Sequence, residues 1–282
     1  MDSPTTHAVD VDGVQQRYHV AGTGPVCVVH SGGPGIVWKY LRMPALEQHF
    51  TTVYIEPVGT GKSGRLADPA EYNLDTYVRF LHAVVADLGV PQVSLLGHSH
   101  GGFVIQRYAL AYPDRVAGLV LYDTSPVTGP EFWGDAAANV QRFAESHADK
   151  PDAAGIAAAF DAPHDQLDDK GVTEVIRTLL PAYFADYWAD DYQSFHDGIE
   201  VWQAPMRGVE PTPFDVREQL QSATTPALIV FGVHDFICGP RWAEMLRKAL
   251  PHAQVLELAG SGHFGHIEQP ELFFPAVVEF LS

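Results

Sequence analysis

The sequence predicts an α/β fold: a mostly parallel, eight-stranded sheet flanked by helices, with a helical cap inserted after the sixth strand. Three observations predict it. Short apolar runs rich in Val, Leu and Ile recur with amphipathic stretches between them, as in a parallel sheet covered on both faces. That rhythm breaks after Ser125-Pro126 and resumes at Thr225-Pro226, and the interval is helical in pattern and crowded with aromatics. The chain has 282 residues, 46% of them apolar, which is enough to bury one large core.

In chain order, residues 8–12 and 15–21 flank Asp12-Gly13, a two-residue turn signal, and read as an edge hairpin. Apolar runs at 26–30, 52–56, 93–97, 117–122, 227–232 and 254–258 supply six further strands. Leu74, Tyr77, Val78, Leu81, Val84, Val85 and Leu88 follow helical spacing behind Asn73, a candidate N-cap. Residues 103–112 read as a second amphipathic helix, and Glu268-Gln269-Pro270 opens a terminal one. The division is then a core of residues 1–126 and 221–282 and a cap of residues 127–220. Within the cap, 18 Asp or Glu stand against 6 Lys or Arg, and Trp133, Tyr187 and Trp188 are its candidate substrate contacts.

Composition narrows the partners. A formal charge of −18 argues against nucleic acid or an anionic membrane, since either polyanion is repelled. No run approaches the roughly 18 apolar residues of a membrane span. The opening 13 residues are polar and acidic rather than signal-like, so the cytoplasm is the expected compartment. Cys27 and Cys238 are too few for a disulfide framework and read as buried thiols. The sequence sets no oligomeric state.

The chemistry centres on Gly97-His98-Ser99-His100-Gly101, which follows an apolar strand and precedes an amphipathic helix. A strand-to-helix turn this sharp demands small residues two positions either side of the serine, and it lifts the Ser99 hydroxyl above the sheet over a helix N-terminus. A serine needs an imidazole to remove its proton. Gly260-Ser261-Gly262-His263-Phe264 offers His263 on a loop after the last strand, with His266 as competitor. The orienting carboxylate is Asp235, directly after the strand at 227–232, with Asp123 at the end of 117–122 as the alternative. Ser31-Gly32-Gly33-Pro34-Gly35 supplies a loop poor in side chains, whose Gly33 N–H, together with the N–H of His100, would form the oxyanion hole.

The Gly-Gly-Pro-Gly loop, the segment Pro57-Val58-Gly59-Thr60-Gly61-Lys62-Ser63, the serine turn and the late Gly-His-Phe together resemble the proline iminopeptidase branch of the α/β-hydrolases. The resemblance spans most of the chain and is weakest in the cap. It implies the α/β-hydrolase fold and a serine peptidase or esterase with a helical lid, whose acids grip a substrate's amino group. Asp190, Asp191, Asp197 and Glu200 stand in that region without individual assignment. The sequence departs from the branch at Ser31, which stands where His usually precedes the glycines, and at Gly-His-Ser-His-Gly, which is closer to esterases.

Two other signals fail on spacing. Gly59-Thr60-Gly61-Lys62-Ser63 lacks the earlier glycine of a phosphate loop, since Glu56 stands there. His98 and His100 lack the companion residues of a zinc site. The expected function is two-step hydrolysis of an ester or amide of a small, partly apolar substrate, with no metal and no cofactor. A carboxylesterase or lactonase without peptidase activity, a ligand-binding receptor, and a lyase on the same scaffold are the alternatives.

Overall fold

A computed structural model describes residues 3–282 except 151, 152, 209 and 211. The strands are β1 (Thr5–Val11), β2 (Val14–Ala21), β3 (Val26–His30), β4 (Thr51–Glu56), β5 (Val93–His98), β6 (Val116–Tyr122), β7 (Ala227–Gly232) and β8 (Gln254–Leu258). They form one sheet in the order β1-β2-β4-β3-β5-β6-β7-β8. β1 pairs antiparallel with β2 and β2 with β4, and every other pair is parallel. The eight expected strands are all present. The hairpin turns at Asp12 and Gly13, both at positive φ (53° and 85°), as a tight two-residue turn requires.

Alternation along the central strands explains why both faces are covered. Val28, Leu95, Leu119, Leu121 and Ile229 enter one apolar cluster, while Cys27, Val29, Leu96, Val120, Leu228 and Val230 enter another across the sheet. The helices α1 (Leu74–Asp87) and α2 (His100–Ala111) cover the first cluster. Asn73 caps α1, its side chain accepting from Thr76 N at 3.1 Å.

Between β6 and β7 run α3 (Pro130–Ser146), α4 (Ala153–Phe160), α5 (Asp169–Tyr183), α6 (Gln193–Gly198), α7 (Gln203–Met206) and α8 (Arg217–Leu220). This helical excursion is tied back to the glycine loop after β3. Val37 N donates to Glu200 O and Trp202 N to Gly35 O, each at 2.9 Å, around an Ile36–Val201 bridge. The chain closes with α9 (Pro240–Ala249) after β7, then α10 (Gly265–Glu268) and α11 (Pro270–Leu281) after β8. Trp242 and Leu246 of α9 join the first cluster, and Phe273 and Val277 of α11 the second. Both cysteines are buried free thiols. Among the described residues, no helix is long and apolar enough to cross a membrane.

Candidate active site

The carboxyl ends of β3, β5, β6 and β7, with the loop after β8, build the site. At the end of β5 the backbone is packed too tightly for side chains on either side of the serine. A Cβ on Gly97 would lie 2.4 Å from Gly101 O, and one on Gly101 would lie 2.2 Å from His30 O. Ser99 between them takes φ 53°, ψ −120°, a conformation costly for a residue with a Cβ. Its neighbours hold it there: Ser99 N donates to Tyr122 O at 3.0 Å, and Ser99 O accepts from Gly102 N and from Thr124 Oγ1.

His263 sits between β8 and α10, with its N–H donated to Tyr183 O at 2.6 Å. Its Nδ1 lies 2.7 Å from Asp235 Oδ2. The other Asp235 oxygen accepts from Ile237 N and Cys238 N at 2.9 and 3.1 Å. A carboxylate so placed accepts the Nδ1 proton and leaves Nε2 as the basic atom. Ser99 and His263 line one cavity of about 290 Å³. Among the described residues no hydrogen bond joins them, and such contacts commonly tighten only when substrate binds.

The two expected oxyanion donors differ in setting. Gly33 lines the cavity at φ 124°, and its N–H makes no hydrogen bond among the described residues. Gly32 is already engaged, donating to Tyr40 Oη at 2.7 Å. The N–H of His100 belongs to the first turn of α2, where helix geometry provides no acceptor. The His100 ring turns away from this cavity and packs edge-on against Tyr77, with centroids 5.1 Å apart.

Behind these groups lies a buried network that sequence reasoning missed. Tyr40 Oη accepts from Gly32 N and lies 2.7 Å from His98 Nδ1, while His98 Nε2 lies 2.8 Å from His263 O. A carbonyl only accepts, so Nε2 of His98 carries the proton and Nδ1 accepts from Tyr40. The imidazole is then neutral, in line with burial, which holds it well below the usual histidine range. His98 thereby links the loop at Gly32 to the backbone of His263. Tyr40 has no local motif, since its link to His98 spans 58 positions.

His266 does not compete with His263. Its Nδ1 is 2.9 Å from Tyr122 Oη and its Nε2 is 3.0 Å from Tyr40 O, so both nitrogens are occupied away from Ser99. Asp123 does not reach His263 with a hydrogen bond either. It accepts from Gly232 N at 2.8 Å, its second oxygen is buried without a partner, and burial together with the charge of Asp235 pushes it well above the ordinary carboxyl range. Glu268 accepts from Ala185 N, Ser261 Oγ and Gly262 N, which fixes the loop carrying His263.

His98, Asp123 and His263 each place one ligand-type atom within 4.8 Å of the others. They do not suit a metal: both His98 nitrogens and His263 Nδ1 are already hydrogen-bonded, and burial disfavours the charged form of the Asp123 carboxyl. Of the three aromatic candidates, Trp133 lines the cavity. Tyr187 packs on Phe184 and Tyr192, and Trp188 on Phe143 and His147, so neither reaches it. The excursion also contributes Ile176, Leu179, Leu180 and Tyr183 of α5, Phe160 of α4, and His164, Ile199, Val201 and Met206.

Residues 25–270 match the family model of the alpha/beta hydrolase fold, and the chain belongs to that family. It is a hydrolase of that class. Among its relatives, the 2-hydroxymuconate semialdehyde hydrolase of Pseudomonas sp. (strain CF600) is 28% identical, over 96% of this chain and 91% of its own length. A (lyso)-N-acylphosphatidylethanolamine lipase of Bos taurus is also 28% identical, over 90% of this chain and 78% of its own. The fold is shared with the esterase RhEst1 from Rhodococcus sp. ECU1013, at TM-score 0.77 and 20% identity over the whole of both chains.

Proposed function

We propose that the chain is a serine esterase acting on a small carboxylic ester with an apolar acyl group. The observation that supports this reading is the cavity lined by both Ser99 and the Asp235-paired His263, with no Asp, Glu, Lys or Arg among the described residues that line it. Such walls favour hydrocarbon over charge. Asp190, Asp191, Asp197 and Glu200 do not line this cavity, so the amine grip implied by the iminopeptidase resemblance lacks a carboxylate there. A lipase among the relatives agrees with ester cleavage. We read residues 127–220 as the lid, a reading supported by Trp133, Phe160, Leu179 and Tyr183, which line the cavity together with Ser99.

In the first step Ser99 Oγ attacks the ester carbonyl and His263 Nε2 takes its proton. The oxyanion accepts from Gly33 N and His100 N, the C–O bond breaks, and the alcohol leaves with the proton from His263. Water then attacks the acyl-Ser99 ester by the same route and the acid departs. Asp235 holds the imidazole upright and stabilises its charged form.

The test is fluorophosphonate labelling with p-nitrophenyl butyrate hydrolysis. Wild type labels at residue 99, and Ser99→Ala loses labelling together with about 10⁴-fold or more of the rate. Retained hydrolysis in that variant overturns the reading. Aminoacyl-p-nitroanilides are expected to remain uncleaved, and their rapid turnover would restore the peptidase alternative.

A further inference from the structure

A cavity of about 350 Å³ lies apart from the catalytic one and shares none of its lining residues. Arg17 of β2, Lys39 after the glycine loop, Lys62 after β4 and Trp202 of the cap line it. Its charge is inverted relative to the chain: these three cations stand against Glu56 and Glu200, whereas the whole sequence has 17 Lys or Arg against 35 Asp or Glu. None of the three makes a side-chain hydrogen bond or ion pair among the described residues. Arg17 stands out, because it is half-buried and every other arginine of the chain has such a partner. A guanidinium part-way out of water without an acceptor keeps its desolvation cost.

The walls discriminate between occupants. Glu56 is committed internally: its Oε1 accepts from Lys62 N and Ser63 N, and its Oε2 lies 2.7 Å from His19 Nε2. The other His19 nitrogen lies 3.0 Å from Thr6 Oγ1. Of the acids and imidazole in these walls, a metal ion would find only the exposed Glu200 uncommitted, with three cations around it. Hydrocarbon would leave the charges dry. A phosphate meets what is free, since the guanidinium fork matches two of its oxygens and an ammonium serves the third. Trp202 is half-buried and stacks on no other ring among the described residues, so the organic part of a phosphate ester has a face to cover.

The position gives such a ligand a consequence. Lys39 and Trp202 flank the clasp in which Val37 N donates to Glu200 O and Trp202 N to Gly35 O, and Ile36 and Val201 of the same clasp line the catalytic cavity. We infer that the cavity at Arg17, Lys39 and Lys62 binds a phosphate monoester, and that the bound anion braces the clasp between the glycine loop and the cap. The inference does not depend on which bond the catalytic site cleaves.

The experiment titrates the full chain with phenyl phosphate by calorimetry at fixed ionic strength, beside benzoate and inorganic phosphate, and follows backbone hydrogen exchange. Phenyl phosphate is expected to bind about ten-fold or more tighter than benzoate, which has the same ring and a single charge. It is also expected to bind tighter than inorganic phosphate, which leaves Trp202 uncovered. Arg17→Gln and Lys39→Gln are each expected to weaken binding by about ten-fold. Lys39 is exposed, so its substitution tests the site even where Arg17→Gln fails to fold. Lys170→Gln, at an exposed cation of the cap outside this cavity, is expected to bind as wild type does. The bound ester is expected to slow exchange in residues 36–39 and 200–203. No saturable binding, binding that survives both substitutions, or equal affinity for benzoate overturns the site. Inorganic phosphate binding as tightly as the ester overturns the monoester, and unchanged exchange with the ester bound overturns the bracing.

Discussion

Asp235 meets His263 Nδ1 at 2.7 Å, and in the proposed mechanism this contact sets which nitrogen faces Ser99. Asp235→Asn offers an amide N–H that favours the opposite tautomer, and kcat/KM on p-nitrophenyl butyrate is expected to fall by about 10³–10⁴ with little change in folding. Tyr40→Phe acts differently. It strands the Gly32 N–H and His98 Nδ1 in a buried place, so unfolding in urea is expected to show a loss of about 1–3 kcal/mol. The sequence marks Ser99, His263 and Asp235 as candidates through local signatures whose spacing reflects backbone crowding or loop position, and the structure brings Ser99 and His263 to one cavity with His263 against Asp235. The choice of Asp235 over Asp123 was not settled in the sequence, since it depends on which carboxylate meets the imidazole across strands. The direction of the His100 ring was equally hidden, because it follows from the helical twist after Ser99.

The junction of β5 with α2 is the element on which the site depends. Gly101→Ala would drive a methyl to 2.2 Å from His30 O, a backbone atom that cannot turn aside. The strand ends must separate, and a stability loss of about 2–4 kcal/mol is expected by denaturant titration, with loss of probe labelling at Ser99. The strands themselves were readable to within a few residues, since alternation into two buried faces leaves a strong apolar record. The exception is β1, which begins at Thr5 rather than at 8, because Thr5, Thr6 and His7 lie on an exposed edge and carry no apolar signal. Helices α3 to α8 could be expected only as a group. Several are only about one turn long, too short to leave a periodic pattern, and of the group α5 has a side-chain cap legible in the sequence, Asp168, which accepts from Gly171 N at 2.7 Å.

Across the whole molecule, several imidazoles are buried in neutral form. Burial lowers His30 and His266 to about 4 and His100 to about 3, and holds His98 well below its ordinary value. Above pH 6.5 these groups are neutral in the folded and unfolded chain alike. Below that pH the unfolded chain binds protons that the folded chain refuses, so stability falls as pH drops from about 6.5 toward 4. Asp123, Glu210 and Glu268, raised in the folded state by burial, run the other way, but His82 and His164 are also lowered by burial and add to the four histidines above. Calorimetry is expected to show the unfolding temperature declining steadily between pH 7 and pH 4.5, and a flat profile would contradict the buried-neutral assignment.

The Tyr40–His98–His263 connection joins segments from the first, second and last portions of the chain, more than 200 residues apart at its extremes. During synthesis, a ribosome that has already released the serine turn and the glycine loop still holds back the imidazole that completes them. On the proposed mechanism the partly made polypeptide is therefore inert, and hydrolytic competence itself reports that both ends have docked.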